Sequence, residues 1–203
     1  MFKPALLATF FEICYRVITI RPEIAVKNDK GDMWYFREEV ECYVSNAETY
    51  FSTYIRRIWD DDFRDTFTVQ TWPPLIYETY IDREDFVLDP KYIPVENGLL
   101  ELYQDEDGVW NYTLVENNPD LYVTERIPIV YDSNAKAPLF LKFLDELLPQ
   151  QHKEQKWIQQ YAGYSTWRKW LFDKVILMLG EGDNGKSTLL EIIRELIGKR
   201  NTT

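Results

Sequence analysis

Between the apolar run Val175-Ile176-Leu177-Met178-Leu179 and the periodic segment Leu189-Leu190-Glu191-Ile192-Ile193-Arg194-Glu195-Leu196-Ile197 lies the nonapeptide Gly180-Glu181-Gly182-Asp183-Asn184-Gly185-Lys186-Ser187-Thr188. It fits the pattern G-x-x-x-x-G-K-[ST], and its flanks predict strand, glycine-rich turn and helix, the context in which that pattern acts as a phosphate cradle. Glycines at 180, 182 and 185 admit backbone angles and close approaches that a side chain would block. Successive N–H groups at the start of a helix then form a concave anion site, favoured by the helix dipole. In this pattern Lys186 reaches the β- and γ-phosphates of a nucleoside triphosphate such as ATP, and the Ser187 hydroxyl is a ligand for Mg²⁺. A chance match without the flanks has odds on the order of one per cent in a chain of this length. A turn that merely joins strand to helix is the weaker reading.

Composition narrows the rest. The chain has 203 residues, 45% of them hydrophobic and 16% aromatic, enough for one large or two small cores and unlike a disordered sequence. Its only histidine, His152, leaves no basis for a zinc site or a Ser-His-Asp triad. It follows a helix-breaking Leu-Pro-Gln-Gln stretch and is expected to face solvent. Cys14 and Cys42 lack metal-ligand or CxxC spacing and are expected to be buried free thiols. No stretch is long enough to span a bilayer, and the apolar Ala5–Phe11 is interrupted at once by Glu12 and Arg16; a cytoplasmic protein with no membrane partner is expected.

Charge divides unevenly. Nine basic and six acidic side chains fall after residue 150, so the net −11 is made of +3 there and −14 before. The acidic part suits protein contact better than electrostatic binding of nucleic acid. Asp60-Asp61-Asp62 and Asp105-Glu106-Asp107 read as solvated turns, because a two-metal site also needs partners from other strands. The aromatic residues recur at helical or alternating spacing and read chiefly as core, with base stacking in the first half as the lesser reading.

Periodicity predicts a helix up to about Val17 with Leu6, Leu7, Phe10, Phe11, Cys14 and Val17 on one side. A hairpin pairs Ile24–Lys27 with Met33–Phe36. The capping box Ser45-Asn46-Ala47-Glu48 opens a helix carrying Tyr50, Phe51, Tyr54, Ile55 and Ile58. Pro73-Pro74 marks the start of another that runs to Tyr80. Strands follow at Leu99–Tyr103 and Val109–Val115 across an Asp105–Gly108 turn, Thr124–Tyr131 is extended, and helices start near Pro138 and Lys153. The second of these helices turns Trp157, Ile158, Tyr161 and Ala162 inward. The fold expected is an α+β region over residues 1–136, a helical connector over 137–172, and over 173–203 the first strand-loop-helix of an α/β P-loop NTPase core.

Several stretches in this order resemble the phage and plasmid primase-helicase family, which includes poxvirus-type replicative enzymes with superfamily 3 helicase cores. They are Ile93-Pro94-Val95-Glu96-Asn97-Gly98-Leu99-Leu100-Glu101-Leu102, Tyr131-Asp132-Ser133-Asn134-Ala135, Phe143-Leu144-Asp145-Glu146-Leu147-Leu148, Gly163-Tyr164 and the loop itself. The resemblance implies a domain that precedes a hexameric ATPase translocating on DNA during plasmid or virus replication. By motif match, Lys186 holds the triphosphate, Ser187 the magnesium ion, and Thr188 with the amides of Asp183, Asn184, Gly185 and Lys186 the phosphates. Only sixteen residues follow Ser187, so the acidic metal-binding strand, polar sensor and arginine finger of that family have no counterpart. The expectation is therefore a fragment that binds ATP and Mg²⁺ but does not hydrolyse ATP by itself, with DNA and other helicase subunits as partners of the parent protein. The alternative is a non-catalytic module that docks onto intact helicase subunits through its acidic first 150 residues. A small-molecule kinase lacks room after the loop for an acceptor site and lid. On the expectation of a fragment, Leu189, Leu190, Ile192, Ile193, Leu196 and Ile197 would lose their sheet and form an exposed apolar face.

Overall fold

The computed structural model describes residues 4–21, 32–59, 64–169, 172, 176–180, 182 and 184–202. Two compact units emerge: residues 1–89 with 117–125, and residues 90–116 with 126–203. Residues 137–172 and 173–203 both fall in the second.

The first unit packs three helices on a four-stranded sheet. Its elements are α1 (Pro4–Tyr15), β1 (Ile18–Ile20), β2 (Met33–Arg37), β3 (Cys42–Ser45), α2 (Ala47–Trp59), α3 (Asp65–Glu78) and β4 (Tyr80–Ile81). The sheet order is β3-β2-β1-β4, with β1–β4 parallel and the other pairs antiparallel. Alternation along β2 decides which side chains meet the helices. Met33 and Tyr35 join Ala8, Phe11, Phe51, Ile55, Trp72 and Leu75 in the core, where the rings of Phe11 and Phe51 stack at 4.2 Å. Trp34 instead packs on Phe86, which with Tyr43 and Tyr122 forms a second aromatic cluster.

Several expectations are corrected here. Strand β2 lies between β1, only three residues long, and β3; the expected hairpin strand at 24–27 lies outside the described residues, as does the acidic run at 60–62. Helix α3 begins eight residues before Pro73, so both prolines sit inside it. Each removes a backbone donor, and burial of Trp72 and Leu75 on either side of them offsets that loss. On α1, Ala8 and Phe11 are buried, whereas Leu6, Phe10 and Cys14 are exposed. Cys14 is thus not a buried thiol, while Cys42 is. On α2, Phe51 and Ile55 are buried, but Tyr50 and Ile58 are exposed.

Tyr43 sits at the edge strand, where its N–H donates to the Val123 carbonyl at 2.7 Å, and its side chain is buried. Burial, reinforced by Tyr122, pushes its phenol up from 10.0 to about 12. Below pH 10 the folded and unfolded chains both keep this proton, and the stability it contributes is fully present. Between pH 10 and 12 the unfolded chain releases the proton that the folded chain retains, so stability falls with rising pH. Burial raises Tyr15 and Tyr35 in the same direction. Denaturant titrations across that window should show a shallower fall for Tyr43→Phe than for the parent chain; equal slopes would refute the assignment.

The second unit contains β5 (Tyr92–Val95), β6 (Gly98–Gln104), β7 (Trp110–Val115), α4 (Pro138–Leu147), α5 (His152–Ser165) and α6 (Lys186–Ile197). The three strands form an antiparallel meander. The β6–β7 turn is the one expected: Asp105 accepts from the N–H groups of Asp107 and Val109 and from the Asn111 side chain. Across the β5–β6 turn, Asn97 latches Tyr131 by two bonds, donating to its carbonyl at 3.0 Å and accepting from its N–H at 2.8 Å. Gly98 follows at φ +141, and a Cβ there would run into the Val115 carbonyl. Gly98→Ala should cost roughly 2–3 kcal/mol in chemical unfolding; a cost below about 0.5 kcal/mol would contradict this geometry.

The helices α4, α5 and α6 share a core of Leu144, Leu189 and Ile193, with Phe143, Leu147, Ile158 and Ala162 against it. Leu189 and Ile193 are therefore covered by helices, although Leu190 and Ile192 are exposed. On α5, Ile158 and Ala162 face inward as expected, but Trp157 is 51% exposed and Tyr161 37%. Leu139 is 83% exposed on α4.

Candidate functional site

The nonapeptide 180–188 belongs to the second unit, and its last three residues open α6. Residues 176–180 carry no assigned strand pairing, and they alternate. Met178 packs on the Leu144 core, whereas Leu177 and Leu179 are 77% and 82% exposed. Over its described residues the expected strand thus packs one side on the core without pairing as a strand.

Helix α6 starts where the sequence places it. Gly185 stands before its first turn at φ 83 and ψ 2, left-handed backbone that favours glycine. Its carbonyl accepts from Leu189 N–H at 3.0 Å, the first bond of the helix ladder. A Cβ on Gly185 would approach Phe143 and Leu147 at 3.3 and 3.4 Å, so α4 lies directly against the helix start. No side chain caps this end. The N–H groups of the first turn have no acceptor within the helix, and Ser187 and Thr188 are exposed on it.

Lys186 turns back over the loop. Its ammonium donates to the Gly180 carbonyl at 3.0 Å and to Asn184 Oδ1 at 2.5 Å. A Cβ on Gly180 would meet the Asn184 amide and stand 3.3 Å from Lys186 Nζ, so both side chain ends would have to shift to admit one. Gly182 has open space where a Cβ would be. Of the sequence-predicted site residues, Gly180, Asn184 and Lys186 are in mutual contact, and Gly185, Ser187 and Thr188 continue directly into α6. Asp183 lies outside the described residues. The Gly180 carbonyl and Asn184 Oδ1 that the Lys186 ammonium meets are neutral oxygens, contacts that a phosphate could replace.

The carboxylates that follow the loop are occupied elsewhere. Glu191 and Glu195 lie within 4.0 and 2.5 Å of Lys199, and Glu191 also meets Arg194 at 3.6 Å. The contact with Lys199 lowers Glu195 below, and raises Lys199 above, their ordinary values. Among the described residues, no group of three or more His, Cys, Asp or Glu could hold a metal ion. His152 is exposed at the start of α5, as expected.

Two side chains that the sequence reading did not single out hold the scaffold beneath the loop. Gln155 is buried and donates to Asp145 and to the Leu148 carbonyl, both at 2.9 Å, satisfying the end of α4. Asn201 donates to the carbonyls of Ile197 and Arg126 at 2.8 and 3.2 Å, tying the end of α6 to the segment before α4. Neither belongs to a local motif, so a linear pattern does not disclose them.

Residues 80–149 match the family model described as D5 N terminal like. This stretch, about a third of the chain, runs from β4 to just beyond α4 and stops before the loop. A search of curated proteins finds no match. No helix among the described residues is long and apolar enough to cross a membrane.

Proposed function

We infer that this chain is a primase-helicase-related replication protein, a reading supported by the match over residues 80–149. From that base we propose that this chain is part of a replicative ATP-dependent DNA helicase of plasmid or viral type, with a superfamily 3 core. The loop 180–188 binds the phosphates of ATP, Lys186 carries the principal charge, and Ser187 ligates Mg²⁺. The segment 173–203 is then the opening strand-loop-helix of a P-loop core. The parent protein's partners are DNA and further helicase subunits in a ring. The observation that carries this reading is Lys186 folded onto Gly180 and Asn184 ahead of the uncapped first turn of α6. In P-loop sites Mg²⁺ bound to nucleotide neutralises charge on the β- and γ-phosphates; here the chain's own part is to cradle and orient them.

The role read for this loop is the binding of phosphates. Isothermal titration with Mg-ATP should give saturable binding that inorganic tripolyphosphate with Mg²⁺ displaces, because recognition is of phosphates. Failure to bind either ligand would overturn the reading and favour the non-catalytic docking module. Binding of ATP that tripolyphosphate cannot displace would place recognition away from this loop.

A further inference from the structure

Strand β7 leaves one edge of the meander open. The Asp105 N–H donates to the Val109 carbonyl at 3.0 Å, and the register pairs Tyr103 with Asn111, Glu101 with Thr113 and Leu99 with Val115. Antiparallel alternation then turns the backbone groups of Asn111, Thr113 and Val115 toward β6, and those of Trp110, Tyr112 and Leu114 outward. The other outer strand is covered: the Ile127 N–H donates to the Pro94 carbonyl, and the Glu96 N–H to that of Ile129, both at 2.9 Å. Along β7 there is instead a cleft of about 730 Å³, lined by Asn111, Tyr112, Thr113 and Leu114 and by Tyr131, Asp132 and Ser133.

The strand carries none of the usual protections. Trp110-Asn111-Tyr112-Thr113-Leu114-Val115 has no charge and no proline, the devices that keep edge strands from pairing. Trp110, Tyr112 and Leu114 share one face and are 62%, 57% and 39% exposed.

We propose that β7 pairs antiparallel with β7 of a second copy of this chain, about a two-fold axis at Tyr112. The sequence is self-complementary in that register. Trp110 meets Leu114 of the second copy and Tyr112 meets its own counterpart on one face; Asn111 meets Thr113 and Val109 meets Val115 on the other. Cross-strand pairs of these kinds stabilise sheets. Neighbouring two-fold registers are penalised: centring on Trp110 sets Glu106 opposite Leu114, and centring on Leu114 sets Glu116 opposite Tyr112. The contact is isologous, so it closes as a dimer with a six-stranded sheet and does not propagate. It is independent of the nucleotide loop.

Sedimentation velocity of the full chain without nucleotide tests this. The parent chain should show a concentration-dependent monomer–dimer equilibrium that Tyr112→Phe retains. Tyr112→Lys and Tyr112→Glu, each placing like charges face to face, should weaken the dimer at least about tenfold. An equimolar mixture of the two should restore it, which a misfolded variant could not do. Trp110→Lys mixed with Leu114→Glu gives a second, independent rescue. A parent chain monomeric at every concentration, an assembly indifferent to Tyr112→Lys, or mixtures that fail to restore association would each overturn the proposal.

Discussion

In the Lys186→Ala variant, Mg-ATP affinity falls about a hundredfold while the unfolding midpoint hardly moves. Both halves follow from where the side chain sits. Its ammonium donates to Gly180 and Asn184, six and two residues away within the same loop, and it lies outside the buried core. Removing it therefore changes stability by no more than about 0.5 kcal/mol, the usual effect of a substitution away from packed features. The nucleotide loses a charged donor held against its phosphates, an interaction worth roughly 1.5–3 kcal/mol, and each 1.4 kcal/mol is about tenfold in affinity. Lys186→Arg keeps the charge but replaces a compact ammonium by a planar fork, and should recover only part of the loss. Titration calorimetry beside urea unfolding separates the two effects. An affinity unchanged in Lys186→Ala would remove the loop from the binding site, and a collapse of stability would show that the residue is structural.

The loop helix was legible because its signals are local. Gly185 just before Lys186, and apolar residues at Leu189, Ile193 and Ile197, specify a start and a period without reference to the rest of the chain. The Asp105 turn was legible for the same reason, its three bonds all closing within six residues. What could not be read depends on distant partners. Strand β1 has three residues and β4 two, too short to show a period, and they exist because Thr19 N–H reaches the Thr79 carbonyl across sixty positions of sequence. Helical spacing at Trp157 and Tyr161 locates a face but not what covers it, and the core took Ile158 and Ala162 instead. Pro73 and Pro74 usually stand in a first turn; here Thr71 and Thr79, bonded back to the carbonyls four residues earlier, lie within and just beyond a helix that tertiary packing sustains around them.

Leu144→Ala should strongly destabilise the second unit, and it should reach the nucleotide loop indirectly. Leu144 is 1% exposed and meets Leu189 and Ile193 of α6 in the core, while its neighbours on α4, Phe143 and Leu147, stand where a Cβ on Gly185 would be. Truncating a buried leucine removes its transfer energy and leaves a cavity, together about 3 kcal/mol. The helix whose first turn would hold the phosphates then rests on a void at Leu189, one turn from Lys186. Mg-ATP affinity should fall severalfold although no atom of Leu144 touches the loop. Leu144→Met, close in volume, should cost less than about 1.5 kcal/mol and leave affinity near that of the parent chain. Urea unfolding and calorimetry on the same two variants decide the matter. A stability loss in Leu144→Ala without any loss of affinity would mean that the loop holds its shape independently of α4, and that the contact at Gly185 is packing alone.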